Sequence, residues 1–213
     1  KEIVCYKKKY KNIIFDNVHA FYQKPIKNID TIYSCRKFFG VPDGAYLSTD
    51  CILELDKDKS SARFKHLLGR FEGLASDYYL DFKQNDEDFK HSPLRLMSDL
   101  TRNILGAIDY ENVANKRKEN FKILNDAFKN INKINTETID VPYAYPLYLK
   151  NGMEIKKSLT KSGIYVATLW PDAIQEGNEL EKDFAENILP LPIDQRYDED
   201  DMLYLIGVLK NYV

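Results

Sequence analysis

Two short clusters near the start of this 213-residue chain bring together side chains that can do chemistry. Asp16 and His19 close the apolar run in NIIFDNVHAF, and Ser34 and Lys37 lie in DTIYSCRKFFGVPDGAYL. Asp16 ends a run that reads as a buried strand. In α/β sheets, ligands bind beyond the carboxyl ends of strands. A carboxylate there can hold a cationic ring nitrogen. Lys37 sits in an apolar turn with no acid beside it in sequence. A desolvated lysine amine can shed its proton and form a Schiff base with a carbonyl compound. The Ser34 hydroxyl, three residues earlier, can donate to a phosphate. Taken singly, each residue has an ordinary reading: Asp16 as a turn cap, His19 as a satisfied structural histidine, Lys37 as a surface charge. Together they match what pyridoxal phosphate requires, namely an electron sink, a covalent tether and a phosphate anchor.

The elements that must position these groups are short. Glu2–Tyr6, Asn12–Phe15, Thr31–Tyr33 and Gly44–Ser48 read as strands, with Cys51–Leu53 as a possible addition. Their apolar residues are continuous rather than alternating, so strands buried on both faces are predicted. Helical spacing begins at Ser60 through Phe64, Leu67, Leu68, Phe71 and Leu74. The polar stretch from Asp81 to Pro93 reads as a loop. A long helix is predicted from Ser98, its N-cap, to about Ile131, with Gly106 and Asp109-Tyr110 as places where it can bend. The last third alternates: strand at Pro142–Leu149, helix at Met153–Ser162 closed by Gly163, strand at Ile164–Thr168, helix at Leu180–Asn187, strand at Ile188–Leu191, helix at Asp198–Asn211.

Composition narrows the function classes. With 31 basic and 33 acidic residues the formal net charge is −2, and both signs are interspersed, which leaves no nucleic-acid footprint. The basic run from Lys7 to Lys11 reads as a solvated loop. Cys5, Cys35 and Cys51 have no metal-site spacing and read as free thiols in a reducing compartment. No apolar run approaches the ~20 residues of a membrane span. No metal, nucleic acid or membrane partner is expected.

IIFDNVHAF followed by SCRKFFGVPDGAYL resembles the DegT/StrS family of pyridoxal-phosphate aminotransferases, which have the aspartate-aminotransferase fold, fold type I. LRLMSDLTRNILGAIDYENVANKR is similar to the segment leading into that family's interdomain helix. GIYVATLWP and ILPLPIDQRYDEDDM are similar to its C-terminal domain. The resemblance implies an α/β fold in three parts: residues 1–97 as the remainder of the large cofactor-binding domain, 98–131 as a long connecting helix, and 132–213 as a small C-terminal α/β domain. It implies that Asp16 pairs with the pyridine nitrogen, that His19 contacts the ring face or its 3-hydroxyl, that Ser34 binds phosphate and that Lys37 carries the cofactor as a Schiff base. It implies amino transfer from glutamate to an oxo-sugar or related small oxo acceptor, with Lys37 moving the proton, in a cytoplasmic homodimer.

There are departures. Ser34 is three residues before Lys37, where five is usual in the family. The family's phosphate-reaching Asn is missing from Ser92-Pro93-Leu94-Arg95, where Arg95 is a substitute. Segments of the fold's first half, including its phosphate-binding turn and ring-stacking aromatic, are not found, so the chain reads as a C-terminal portion with exposed apolar strand edges. A non-catalytic aminotransferase-like scaffold or dimerisation fragment is the alternative. Trp170 is a candidate for a substrate pocket or for core packing, and Arg196 for a substrate carboxylate or for an ion pair with Asp194 or Asp198.

Overall fold

The computed structural model describes residue 6, residues 9–136 and residues 140–213. The strand expected over Glu2–Tyr6 lies outside these residues except for Tyr6, which is helical. Cys5 and part of the Lys7–Lys11 run also lie outside them. The chain divides into two compact units, Lys1–Asp109 and Tyr110–Val213.

In the first unit, β1 (Ile14–Asp16), β2 (Asp30–Ser34) and β3 (Ala45–Ser48) form one sheet. β1 pairs parallel with β2, and β2 pairs antiparallel with β3. The parallel pair is joined by residues 17–29, about the dozen residues a crossover needs, without a helix. The expected burial on both faces holds only in part. β2 lies between two neighbours and buries alternate residues, Thr31 and Tyr33. β1 and β3 each have one partner among the described residues and leave Ile14, Tyr46 and Leu47 exposed. Cys51–Leu53 forms no strand.

The helices of this unit are α1 (Lys65–Glu72), α2 (Tyr79–His91) and α3 (Asp99–Gly106). α2 corrects the reading of Asp81–Pro93 as a loop. Its exposed surface is largely polar beyond Tyr79, Leu80 and Phe82 and is tied by Glu87–Lys90 and Gln84–Asp88 contacts. Its inner face includes Asn85 and Asp86, so no apolar period shows in sequence. Ser98 caps α3 as expected, its hydroxyl accepting from the Thr101 N–H at 3.1 Å.

The single helix expected over 98–131 is two helices. α3 ends at Gly106, and α4 (Tyr110–Phe128) starts after a break at Ala107–Asp109. The weak helix formers flagged in the sequence are where it parts. In the second unit, β4 (Tyr145–Tyr148) pairs antiparallel with β5 (Ile188–Leu191). Pro146 faces Pro190 in that register, which a two-stranded ribbon tolerates because, among the described residues, each strand has an unpaired edge. α5 (Gly152–Lys161), α6 (Ala173–Glu176), α7 (Glu179–Asn187) and α8 (Glu199–Leu209) complete it. Leu124 and Phe128 of α4 pack with Tyr145, Leu147, Leu159, Leu189, Leu191 and Leu209 in one core.

Ile164–Thr168 forms no strand. Ile164 and Val166 pack on the core, but the segment joins neither described sheet. Asp198 closes a capping box with Asp201 at the start of α8. Asp198→Ala is expected to lower stability by about 1 kcal/mol, read as a lower urea midpoint. Among the described residues, no helix is long and apolar enough to cross a membrane.

Candidate active site

The four residues singled out in sequence lie at the carboxyl end of the β1–β2 pair. Asp16 is the last residue of β1 and stands opposite Ile32. Ser34 is the last residue of β2, and Lys37 closes the 3-10 turn Cys35–Lys37 that follows. The Asp16 carboxylate accepts the Val18 N–H at 2.9 Å, which starts the turn carrying His19. The Ser34 hydroxyl does not cap the turn it precedes.

Electrostatics tie three of the four together. Burial lowers the His19 pKa from 6.5. The Lys37 charge lowers it further, and the Asp16 charge opposes both. Burial also lowers the Lys37 pKa from 10.5, the Arg36 charge adds to this, and Asp86 opposes it. The site therefore favours a neutral imidazole and makes the lysine amine easier to deprotonate. Its reaction rate with an aldehyde is expected to rise along a pH curve centred below 10.5, followed by mapping the reduced adduct at each pH.

Both shifts also enter stability. Each group binds its proton less readily folded than unfolded, so stability rises with pH from the lowered folded value up to the unfolded one. For His19 that window lies just below 6.5. His19→Gln is expected to flatten the acid side of the stability curve, measured by urea midpoints between about pH 5 and 7.

The lysine turn is held from two sides. On one side is an aromatic cluster: Phe21 meets Phe39 edge-on at 4.8 Å between ring centroids, Phe38 at 5.7 Å and Tyr33 at 6.1 Å. The Tyr33 hydroxyl donates to the Gln23 carbonyl at 2.8 Å. These contacts fasten the segment after β1 to the turn after β2, and they explain why Lys37 sits among apolar neighbours.

On the other side is a polar brace that sequence reading missed. Asp43 is buried and receives Arg63 at 2.9 Å and the Thr101 hydroxyl at 2.5 Å. Arg63 also pairs with Asp58 at 2.5 Å. Ser60 contacts both Ser98 and Thr101. Gly44 takes a positive φ of 94°, and a Cβ there would stand 2.9 Å from the Thr101 methyl, so glycine is required. Its carbonyl accepts the Cys35 N–H at 3.0 Å, closing the loop that carries Lys37. Burial, with Asp43 nearby, pushes the Cys35 thiol up to about 12, so Cys35 packs and does not react. The one signal available in sequence was the Pro42-Asp43-Gly44 turn; its partners come from 20 and 58 residues further on.

The secondary candidates resolve differently. Arg196 grips Asp194 through two nitrogens, at 2.7 and 2.9 Å. Trp170 is 68% exposed with φ +49°, so it is not core packing. Arg95 lies 3.4 Å from Asp58.

This arrangement, a lysine on a tight turn at the carboxyl end of a parallel strand pair, belongs to an α/β fold shared with solved aminotransferases. No protein-family model matches the chain, and no curated protein matches it in sequence. Among solved structures, a DegT/DnrJ/EryC1/StrS aminotransferase from Brucella abortus superposes with TM-score 0.60 at 16% identity, covering 99% of this chain and 60% of that one. A Streptococcus pneumoniae protein described as a sugar aminotransferase, in its PMP form, gives 0.59 at 17% identity over 97% of this chain and 59% of that one. DesV of S. venezuelae, in complex with a ketimine intermediate, gives 0.54 at 13% over 99% and 60%. At these identities the likeness is one of fold. The chain has the fold of the family that its sequence resembles, and it spans about 60% of the length of these neighbours.

Proposed function

We propose that this protein is a pyridoxal-phosphate-dependent aminotransferase in which Lys37 carries the cofactor. One observation carries the reading: a lysine with a lowered amine pKa lies on a braced turn at the carboxyl end of a parallel strand pair, within electrostatic reach of His19. The donor set fits the group. The Lys37 amine is nucleophilic toward a carbonyl, the Ser34 hydroxyl is uncommitted by its turn, and Asp16 offers a carboxylate at the strand end. When bound, the cofactor supplies an electron sink for a carbanion next to a substrate nitrogen. Asp16 would hold a proton on the ring nitrogen, His19 would pack against the ring or its hydroxyl, and Ser34 would donate to the phosphate. Lys37 would take and return the proton at the substrate's α-carbon.

Glutamate is the proposed donor and an oxo-sugar or similar small oxo compound the acceptor. A homodimer accompanies this reading, and Leu68 and Phe71 of α1, with Leu80 of α2, offer exposed apolar surface for one. The Streptococcus pneumoniae fold neighbour, described as a sugar aminotransferase, supports the acceptor class. The test is a single-turnover assay with pyridoxal phosphate and glutamate. Stoichiometric 2-oxoglutarate, absent from Lys37→Ala, is the expected result. No 2-oxo acid released from any amino-acid donor overturns the proposal.

A further inference from the structure

Arg36 immediately precedes Lys37 in the 3-10 turn, yet its side chain leads away to α2. There the guanidinium pairs with the Asp86 carboxylate and lies 5.4 Å from the centre of the Phe89 ring. Arg63 lies over the same ring at 5.1 Å, which links this contact to the Asp43 brace. One position earlier on α2, the Asn85 amide donates to the Pro42 carbonyl at 2.9 Å, on the far side of the lysine loop. α2 thus grips both ends of the loop at consecutive positions, through a charge and through a neutral amide.

We propose that Arg36 is a positioning residue for Lys37, anchored by Asp86 and Phe89 so that its fixed charge keeps the neighbouring amine reactive. This rests on the reading of Lys37 as the reacting amine. Burial acts first on Lys37, followed by the charges of Arg36 from its own turn and Asp86 from α2; Lys37 and Asp16 in turn act on His19, in the segment after β1. His66 of α1 feels Arg36 and Asp86 as well. Arg36 disfavours a second positive charge beside it, while Asp86 favours one. The role calls for a fixed positive charge, which Arg36 supplies while it pairs with Asp86 and lies over the Phe89 ring.

The two partners of this pair therefore act on Lys37 in opposite directions, which a mere structural clamp does not do. The experiment is competitive acetylation of the intact chain with trace acetic anhydride across pH, with Lys37 followed by peptide mass spectrometry. At pH 8, Arg36→Met is expected to slow Lys37 acetylation about threefold and Asp86→Asn to speed it about twofold. Arg36→Lys, which keeps the charge, restores most of the rate lost in Arg36→Met. Rates that move the same way in Arg36→Met and Asp86→Asn, or that do not move, overturn the proposal. Pyridoxal phosphate takes no part, so a failure to bind cofactor and a failure of this proposal are read separately.

Discussion

Lys37→Ala is expected to abolish covalent capture of pyridoxal phosphate and to reduce amine transfer by about 10⁴-fold, the upper range for a positioned acid–base group. Two functions leave with one side chain: the nucleophile that holds the carbonyl and the base that moves the proton. The chain has other lysines, but most are solvated and protonated. At pH 8 an ordinary lysine is neutral in only about 0.3% of molecules. Burial and Arg36 raise that fraction at Lys37. Lys37→Arg is the sharper variant. It keeps the positive charge and much of the length, but a guanidinium does not deprotonate in proteins. If Lys37→Arg retained capture, the residue's role would be electrostatic and not covalent. Difference absorbance and intact mass after reduction measure both variants.

Asp43→Ala is expected to destabilise the Lys1–Asp109 unit by about 3 kcal/mol, the low end for breaking a buried ion pair. The lower end applies because Arg63 keeps Asp58 at 2.5 Å. The Thr101 hydroxyl, by contrast, loses the acceptor it reaches at 2.5 Å. Asp43→Asn keeps that acceptor and gives up only the charge, so it is expected to cost about half as much. Urea unfolding measures both. The loss also reaches the site: Asp43 precedes Gly44, whose carbonyl holds the Cys35 N–H at the start of the lysine turn. Slower reaction of Lys37 with aldehyde should therefore accompany the lost stability.

What was legible in the sequence was local. Asp16, Ser34 and Lys37 could be placed at strand ends and in the turn that follows because strand ends and short spacings show in a linear pattern. Ser98 was legible as a cap for the same reason, acting within its own first turn. What was hidden was the support that depends on distant partners. α2 read as a loop because the positions it turns inward include Asn85 and Asp86, so the feature that makes it useful to the lysine turn also erases its apolar period. The apolar runs of β1 and β3 suggested burial on both faces. Burial depends on how many neighbours a strand has, and a run of residues does not state that. Ile164 and Val166 alternate like a strand because they pack on the core like one, but a strand also requires a pairing partner. The break in the long helix was half visible: Gly106 marked the place, but only the structure shows that Ala107–Asp109 leaves the helix.

The most direct test of the central claim is to add pyridoxal phosphate to the chain, reduce with borohydride and map the modified residue by peptide mass spectrometry. The account predicts one dominant label, on Lys37, formed with a pH midpoint below 10.5. Label scattered over surface lysines, with Lys37 no more reactive than the rest, would contradict it.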